Sequence, residues 1–223
     1  MGVADPRVLA YLPLDGGELT DLSANPFAPT PTASGADTSA SSLAATEGRV
    51  GGAGQLRDGS AGFAWSQSKL NVPMSQFPTV SFWLRLDATT ADGALLFSDS
   101  RRRIRVLKSE SDYLLVVEID DGAATRVAML DRFIHPQTWV YVASGTTTFL
   151  FTGDAPDAEA TLTLSVPAFG NSPRVAFGAS ATLPSVVGSF DEIKVWTGAL
   201  SEAEACAAAG GTLLAAAHYC VFE

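Results

Sequence analysis

Only two of the 223 residues are cysteine, Cys206 and Cys220. Two are too few for a disulfide framework and too few for a zinc site. They either pair, tying the end of the chain back on the segment before it, or stand as buried thiols. Basic residues are also scarce. Fourteen Lys and Arg against 24 Asp and Glu leave a net charge of −10, which excludes a general binder of nucleic acid or of an anionic membrane. No apolar run reaches the ~18 residues of a spanning helix, so no membrane insertion is expected. The start, Met1-Gly-Val-Ala-Asp-Pro-Arg7, lacks the basic region and apolar core of a secretory signal. Either a signal has been removed or the protein leaves the cell by another route. It also lacks the Ser or Thr of a myristoylation site. The only histidines, His135 and His218, stand in no triad and no metal-ligand spacing. No Gly-x-Ser-x-Gly elbow, phosphate loop or His-Glu-x-x-His helix occurs.

What is present is strand. Apolar residues make up 47%, ordinary for a globular chain, and a β-sandwich of about 200–250 residues is a common single unit. A chain of this size buries roughly 70% of its unfolded surface and needs no metal or disulfide merely to fold. Short β runs bounded by Gly, Pro, Asp, Asn or Ser recur from residue 8 to residue 196. In residues 79–86, Val80, Phe82, Leu84 and Leu86 alternate with Ser81, Trp83 and Arg85, the pattern of a half-buried strand. With no helical pattern between strands, a two-sheet sandwich is favoured over α/β. One helix is expected near the end: Ser201 can cap it and Glu204 completes a capping box, with Gly210-Gly211 as its stop. Residues 212–223 read as a final strand or tail. Residues 24–47, rich in Ala, Ser, Thr and Pro, read as a long surface loop. No internal repeat or domain boundary is seen, so a single domain is expected over 1–223, with its core at 8–205 and a tail at 206–223.

The closing stretch, residues 188–204, is the most informative. Asp191 shares strand parity with Ile193 and Val195, whereas Glu192, Lys194 and Trp196 share the other. This parity aims an acid at the packed face. A buried carboxylate left alone costs several kcal/mol or more, so it requires a cation or a full set of hydrogen bonds.

Five segments in order carry a resemblance. They are Tyr11-Leu-Pro-Leu-Asp-Gly16 with Asp21-Leu-Ser-Ala-Asn25, then Gly51-Gly-Ala-Gly-Gln-Leu-Arg-Asp-Gly59, then Thr79-Val-Ser-Phe-Trp-Leu-Arg85. The fourth is Thr138-Trp-Val-Tyr-Val-Ala143 with Phe149-Leu-Phe-Thr-Gly-Asp154, and the fifth is Gly188-Ser-Phe-Asp-Glu-Ile193 with its Leu200-Ser-Glu-Ala-Glu204 helix. Together they resemble the laminin-G-like, concanavalin A-like jelly-roll family, which includes pentraxin-type and lectin-type modules. The resemblance covers about residues 8–205. It implies an all-β fold, a two-sheet antiparallel jelly-roll β-sandwich with one short C-terminal helix. Ala24 stands where the family has Gly, and Thr152 where it has Asp or Asn before Gly153. Residues beyond the helix, through Cys220, lie outside the pattern.

The resemblance also implies a structural calcium ion at the sandwich rim. By position its ligands would be Asp21, Asn25 and Asp191, with Asp15 as a further oxygen donor and backbone carbonyls completing the six to eight that calcium takes. The alternative is that Asp191 accepts backbone amides of the 21–25 turn. Glu118-Ile-Asp120-Asp121 begins like the acidic strand of laminarinase-type glycosidases, which need two acids on one face. Gly122, Ala123 and Ala124 follow, so the second acid is missing and an Asp-Gly hairpin turn is the better reading. The basic run Arg101, Arg102, Arg103, Arg105 is either a solvated hairpin or a contact for an acidic glycan or a neighbouring subunit. Trp65 and Trp196 are candidates for stacking on sugar rings, whereas Trp83 and Trp139 fall at core-strand positions.

The functional expectation is a non-catalytic structural or recognition module. It would belong to an extracellular or virus-particle assembly, such as a phage capsid decoration or tail surface protein, partnered by protein subunits, by glycans, or by copies of itself. A carbohydrate-binding module of a larger secreted protein is the alternative, and a glycoside hydrolase the remote one.

Overall fold

Alternation of apolar and polar residues sets the strands, and Gly, Pro and Asp at their ends set the turns. The computed structural model describes residues 5–23, 30–33, 36–37, 43–57, 61–66, 77–120, 124–153, 158–161, 174–178 and 182–222. In chain order the strands begin with β1 (Val8–Leu12), β2 (Thr30–Ala33), β3 (Ala36–Asp37), β4 (Ala44–Glu47), β5 (Gly52–Leu56) and β6 (Ala61–Ser66). They continue with β7 (Thr79–Leu86), β8 (Leu95–Ser98), β9 (Arg102–Ser109), β10 (Asp112–Asp120), β11 (Thr125–Ile134) and β12 (Trp139–Ser144). The last are β13 (Thr147–Phe151), β14 (Ala158–Thr161), β15 (Arg174–Phe177), β16 (Gly188–Trp196), β17 (Gly211–Leu214) and β18 (Tyr219–Phe222), with helix α1 (Glu202–Ala208) between β16 and β17.

Among the described residues the strands form two large antiparallel sheets, as the sequence predicts, and β17 pairs with β18 in a separate hairpin. The first runs β14-β13-β12-β7-β16-β5-β4, with β1 also paired to β16; the second runs β11-β10-β9-β8-β15-β6-β2-β3. Between them lies the main core. Phe177 is its hub, with ring centroids 5.0 Å from Phe97, 5.5 Å from Phe82 and 5.6 Å from Phe190. Each such edge-on aromatic pair adds about 0.5–1.5 kcal/mol beyond area burial. The stretch expected to be one long surface loop instead supplies β2, β3 and β4. Alanine and threonine there find ladder partners in β6 and β5, so pairing with a formed sheet overrides a composition without large apolar residues.

The β7 strand departs from the half-buried expectation. Val80, Phe82, Leu84 and Leu86 face the core, yet Ser81 and Trp83 on the other face are buried too. The cause is the tail. Helix α1 and the β17–β18 hairpin fold over the outer face of the first sheet and enclose a second apolar cluster of Trp83, Tyr141, Phe151, Trp196 and Leu200. Cys206 and Cys220 are joined by a disulfide across this layer, with Cα atoms 5.6 Å apart. Phe222 packs 4.8 Å from Trp83. Its ring lies where a Cβ on Gly153, at φ +77, would stand only 2.7 Å away, so the hairpin's seat requires glycine there.

Helix α1 starts as the sequence predicts. Ser201 Oγ accepts the Glu204 amide and Glu204 accepts the Ser201 amide, a complete capping box. Arg7 Nη1 donates to Glu204 Oε1 at 2.6 Å and pins β1 to the helix start. The Ser201 amide and the Arg7 guanidinium together hold the Glu204 carboxyl down at about 2.

Candidate functional site

The rim around Asp191 is built by a β-bulge. Phe190 pairs with Leu84 and Asp191 with Trp83, but Lys194 then pairs with Ser81, so β16 carries one extra residue at this point. Glu192 is that residue, in the left-handed region at φ 52, a conformation costing a non-glycine residue roughly 1–2 kcal/mol. The bulge reverses parity. Phe190, Ile193 and Val195 all enter the main core, whereas Asp191 turns to the outer face beside Trp83. The parity argument from the sequence was therefore wrong about which face holds Asp191, because strict alternation fails across a bulge.

Asp191 is nonetheless fully buried. Its Oδ2 accepts the amides of Arg49 and Val50 at 2.8 and 2.9 Å, so its staple is the β4–β5 turn and not the 21–25 turn. Oδ1 makes no hydrogen bond of normal geometry and is shut off from solvent. Burial, opposed by the Val50 and Arg49 amides and reinforced by the negative Glu192, pushes its pKa up to about 6. A Cβ on Gly48 would lie 2.7 Å from Asp191 Oδ2, so this turn needs its glycine to let the carboxylate approach. Nearby, the Tyr11 hydroxyl donates to Glu192 Oε1 at 2.6 Å and Lys194 Nζ stands 3.0 Å from Glu192 Oε2. Burial and that acceptor hold the Tyr11 hydroxyl protonated well above its ordinary range.

The acids named for calcium do not converge. Asp15 Oδ1 accepts the Gly52 amide at 2.8 Å. Asp21 instead takes the Tyr11 and Ser23 amides, both at 2.9 Å, and the Ser23 hydroxyl. Asp21 thus closes its own turn onto β1. Asn25 lies outside the described residues. Among the described residues no three His, Cys, Asp or Glu side chains come together in a way that could hold a metal ion.

The basic hairpin is neutralised from within. Arg102, expected at a contact surface, is 1% exposed. Its Nη2 donates to Asp99 at 2.9 Å, its Nη1 donates to the Ser144 carbonyl, and its guanidinium lies 4.9 Å from the Phe77 ring and 5.0 Å from that of Phe97. It joins β9 of the second sheet to β12 of the first. Burial lowers its pKa, opposed by Asp99. Arg103 and Arg105 flank Glu118 across the β9–β10 ladder and pair with it, and Arg101 donates to the Asp120 carbonyl. Glu118, the acid of the glycosidase-like stretch, is therefore an ion-pair partner. The Asp121-Gly122 turn lies outside the described residues.

The tryptophans divide. Trp196 is buried, with Nε1 donating to Ser81 Oγ at 2.8 Å, which removes it as a stacking platform; the tail that covers it has no counterpart in the family pattern. Trp83 is buried as expected, and Trp139 lies partly exposed against Arg85, 5.0 Å from its guanidinium. Trp65 is on β6 and its side chain lies outside the described residues.

What the sequence reading passed over is the outer face of β9, β10 and β11. Tyr113, Leu115, Val117 and Ile119 of β10 enter the core, so Leu114, Val116 and Glu118 lie on the opposite face, where Val116 is buried and the other two are half-buried. The ladder aligns them in rows: Leu107, Leu114 and Phe133; Arg105, Val116 and Met129; Arg103, Glu118 and Val127. Val127, Met129 and Phe133 are 60%, 56% and 47% exposed. This face joins an apolar strip to a charged one. At the end of β11 it runs into a cavity of about 210 Å³ lined by Asp131, Arg132, Phe133, His135 and Thr152. A signal was present: β11 carries apolar residues on both parities, Val127, Met129 and Phe133 against Ala128, Leu130 and Ile134.

Comparison with known proteins agrees with this architecture. The family model described as the concanavalin A-like lectin/glucanases superfamily matches residues 57–206. No curated protein matches by sequence. Among solved structures, domain 4 of AbnA, an extracellular arabinanase of Geobacillus stearothermophilus, in complex with arabinotriose, superposes with TM-score 0.70 at 18% identity. It covers 91% of this chain and 98% of that one. The binding domain of Paraclostridial Mosquitocidal Protein 1 superposes with TM-score 0.62 at 14% identity, covering 89% and 51%, and the botulinum neurotoxin serotype G binding domain with TM-score 0.59 at 12%, covering 91% and 50%. The chain thus spans nearly all of the arabinanase domain and about half of each toxin domain. At these identities the likeness is one of fold.

Proposed function

The chain belongs to the concanavalin A-like lectin/glucanase superfamily, and from that premise we propose that it is a non-catalytic recognition domain that binds carbohydrate on the outer face of β9–β11. The observation carrying this reading is the alignment of exposed Val127, Met129 and Phe133 with the Arg103–Glu118–Arg105 ion-pair strip. Sugar rings present apolar C–H faces and hydroxyl edges, and a surface that sets an apolar strip beside fixed donors and acceptors suits both. A neighbouring fold that holds arabinotriose supports the ligand class. The non-catalytic reading rests on Glu118, whose carboxylate is engaged by two arginines and which has Ala123 where a second acid would stand. The disulfide fits oxidising, extracellular surroundings.

A second reading follows from the same residues. Contiguous exposed apolar side chains also suit a protein surface, as in a module docked on other subunits of a particle, including copies of this chain. A glycan array separates the two. Wild-type protein should bind a defined subset of glycans, and Met129→Asp should lose them while unfolding at the same temperature. Absence of glycan binding, together with self-association that Met129→Asp abolishes, would replace the first reading with the second.

A further inference from the structure

We infer that the C-terminal segment, α1 with the β17–β18 hairpin, is a redox-dependent lid. Its own disulfide keeps it seated on the first sheet, and reduction releases it from the aromatic layer beneath while the two large sheets stay folded. Cys206 lies in α1 and Cys220 in β18, so the bridge closes the segment on itself and makes no covalent tie to either sheet. Little else gives the segment a shape. Its helix has seven residues, below the ~12–15 at which an isolated helix is marginal in water. Its hairpin pairs two strands of four residues each, and an isolated two-stranded hairpin is marginal as well. The bridge joins the two and forms their centre. Both cysteines are buried, and a Cβ on Gly211 would stand 2.5 Å from Cys220 Sγ, so β17 passes over the sulfur only as glycine.

What seats the lid depends on the bridge. Cys220 and Phe222 share strand parity on β18, so the bridge fixes the height at which Phe222 meets Trp83. The Arg49 guanidinium lies 5.3 Å from the Trp83 ring and 5.8 Å from that of Phe222, and clamps the pair. The Tyr219 hydroxyl donates to the Gly153 carbonyl at 2.6 Å. Apart from Leu200, the helix end brings small side chains, Ala205, Ala208 and Ala209, to the cluster that holds Tyr141 and Trp196. A joint is present at Gly198, between β16 and α1. It takes φ +78 and a Cβ there would meet nothing, so the chain has room to pivot. The Tyr141 hydroxyl, buried in the covered layer with no hydrogen bond of normal geometry, gains water when the lid lifts. The sheets do not need the lid. Among the described residues the main core contains none of the segment, and β17 and β18 pair only with each other.

Release follows from thiol–disulfide exchange with a dithiol. One thiolate of the dithiol attacks a bridge sulfur, the S–S bond breaks and the other cysteine leaves as thiolate. The dithiol's second sulfur then attacks the mixed disulfide, closes the reductant to a cyclic disulfide and frees the second cysteine. Two electrons and two protons pass to the protein. The attack needs a lifted lid, because both cysteines are buried. The chain therefore shows one surface where disulfides persist and another where thiols do.

Fluorine NMR of the protein grown with fluorotryptophan tests this, with one resonance for each of the four tryptophans, assigned from single Trp→Phe variants. After treatment with dithiothreitol, with both thiols confirmed free by titration, the Trp83 and Trp196 resonances should acquire the solvent isotope shift of exposed indoles. Amide-exchange protection in β10 and β15 should not change. Cys206→Ser combined with Cys220→Ser should give the same spectrum without reductant. Phe222→Ala, with the bridge intact, should be reduced roughly 10-fold faster or more, since losing a large packed side chain shifts an opening equilibrium at least that far. If Trp83 and Trp196 stay shielded once both thiols are free, the bridge does not seat the lid and the inference is overturned. If they become exposed only together with loss of protection in β10 and β15, the segment is no separable lid and the inference is equally overturned. A reduction rate untouched by Phe222→Ala would overturn it too, because the sulfurs would then be reached without lifting the lid.

Discussion

Replacing Asp191 with Asn removes a fully buried charge but keeps an acceptor for the Arg49 and Val50 amides. The folded carboxyl is raised from 3.8 to about 6. A raised acid binds more protons folded than unfolded, so its contribution is fully present below about pH 3.8 and is lost as pH rises through about 6. The rise corresponds to about 3 kcal/mol. Asn imitates the protonated acid at every pH. Urea denaturation of the two proteins should therefore give similar stabilities at pH 3.5. The variant should gain from pH 4 to 7 and be more stable by up to about 3 kcal/mol at pH 8. Comparing the pair cancels Glu204, whose depressed carboxyl acts in the opposite sense, losing stability as pH falls towards 2. Asp191→Ala lacks the acceptor, and each orphaned amide costs about 1–3 kcal/mol, so it should be the least stable of the three at every pH. A difference between wild type and Asp191→Asn that does not change between pH 4 and 7, or a variant less stable at pH 8, would refute the reasoning.

Other outcomes follow from the same structure. Arg102→Ala should destabilise by about 3–5 kcal/mol, because it strands buried Asp99, whereas Arg103→Ala, at 63% side-chain exposure, should change the unfolding free energy in urea by less than about 0.5 kcal/mol. Replacing both cysteines with Ser should cost roughly 2–4 kcal/mol, since the bridge closes a short loop of sequence separation 14, and should expose the Trp83 layer to quenchers of tryptophan fluorescence. Chelation with EDTA should leave the melting temperature unchanged, because Asp15, Asp21 and Asp191 are each held by backbone amides; a fall of several degrees would show that a cation holds the rim.

The fold was legible because it rests on periodicity. Val80, Phe82, Leu84 and Leu86 announce their strand, and Ser201 with Glu204 announces the helix. What was not legible depends on contacts between distant segments. The tail's packing on the first sheet turns Trp196 from a candidate stacking platform into core. The left-handed Glu192 shifts Asp191 by one register, and no local propensity marks a bulge at a glutamate. Arg102 read as a surface cation because it stands in a run with Arg101, Arg103 and Arg105, of which Arg103 is exposed; only the approach of Ser144 from the other sheet shows it to be internal. The outer face of β11 went unremarked because apolar residues on both parities resemble a fully buried strand, and an edge position can be seen only in the assembled sheet.

The most direct test of the central claim is methyl-resolved NMR of the domain during titration with an oligosaccharide that it binds on an array. The account predicts shifts in the methyl groups of Val127, Met129, Val116 and Leu114, with those of Val50 beside Asp191 and Leu200 under the tail unmoved. Shifts confined to the Val50 and Leu200 side, with β10 and β11 silent, would contradict it.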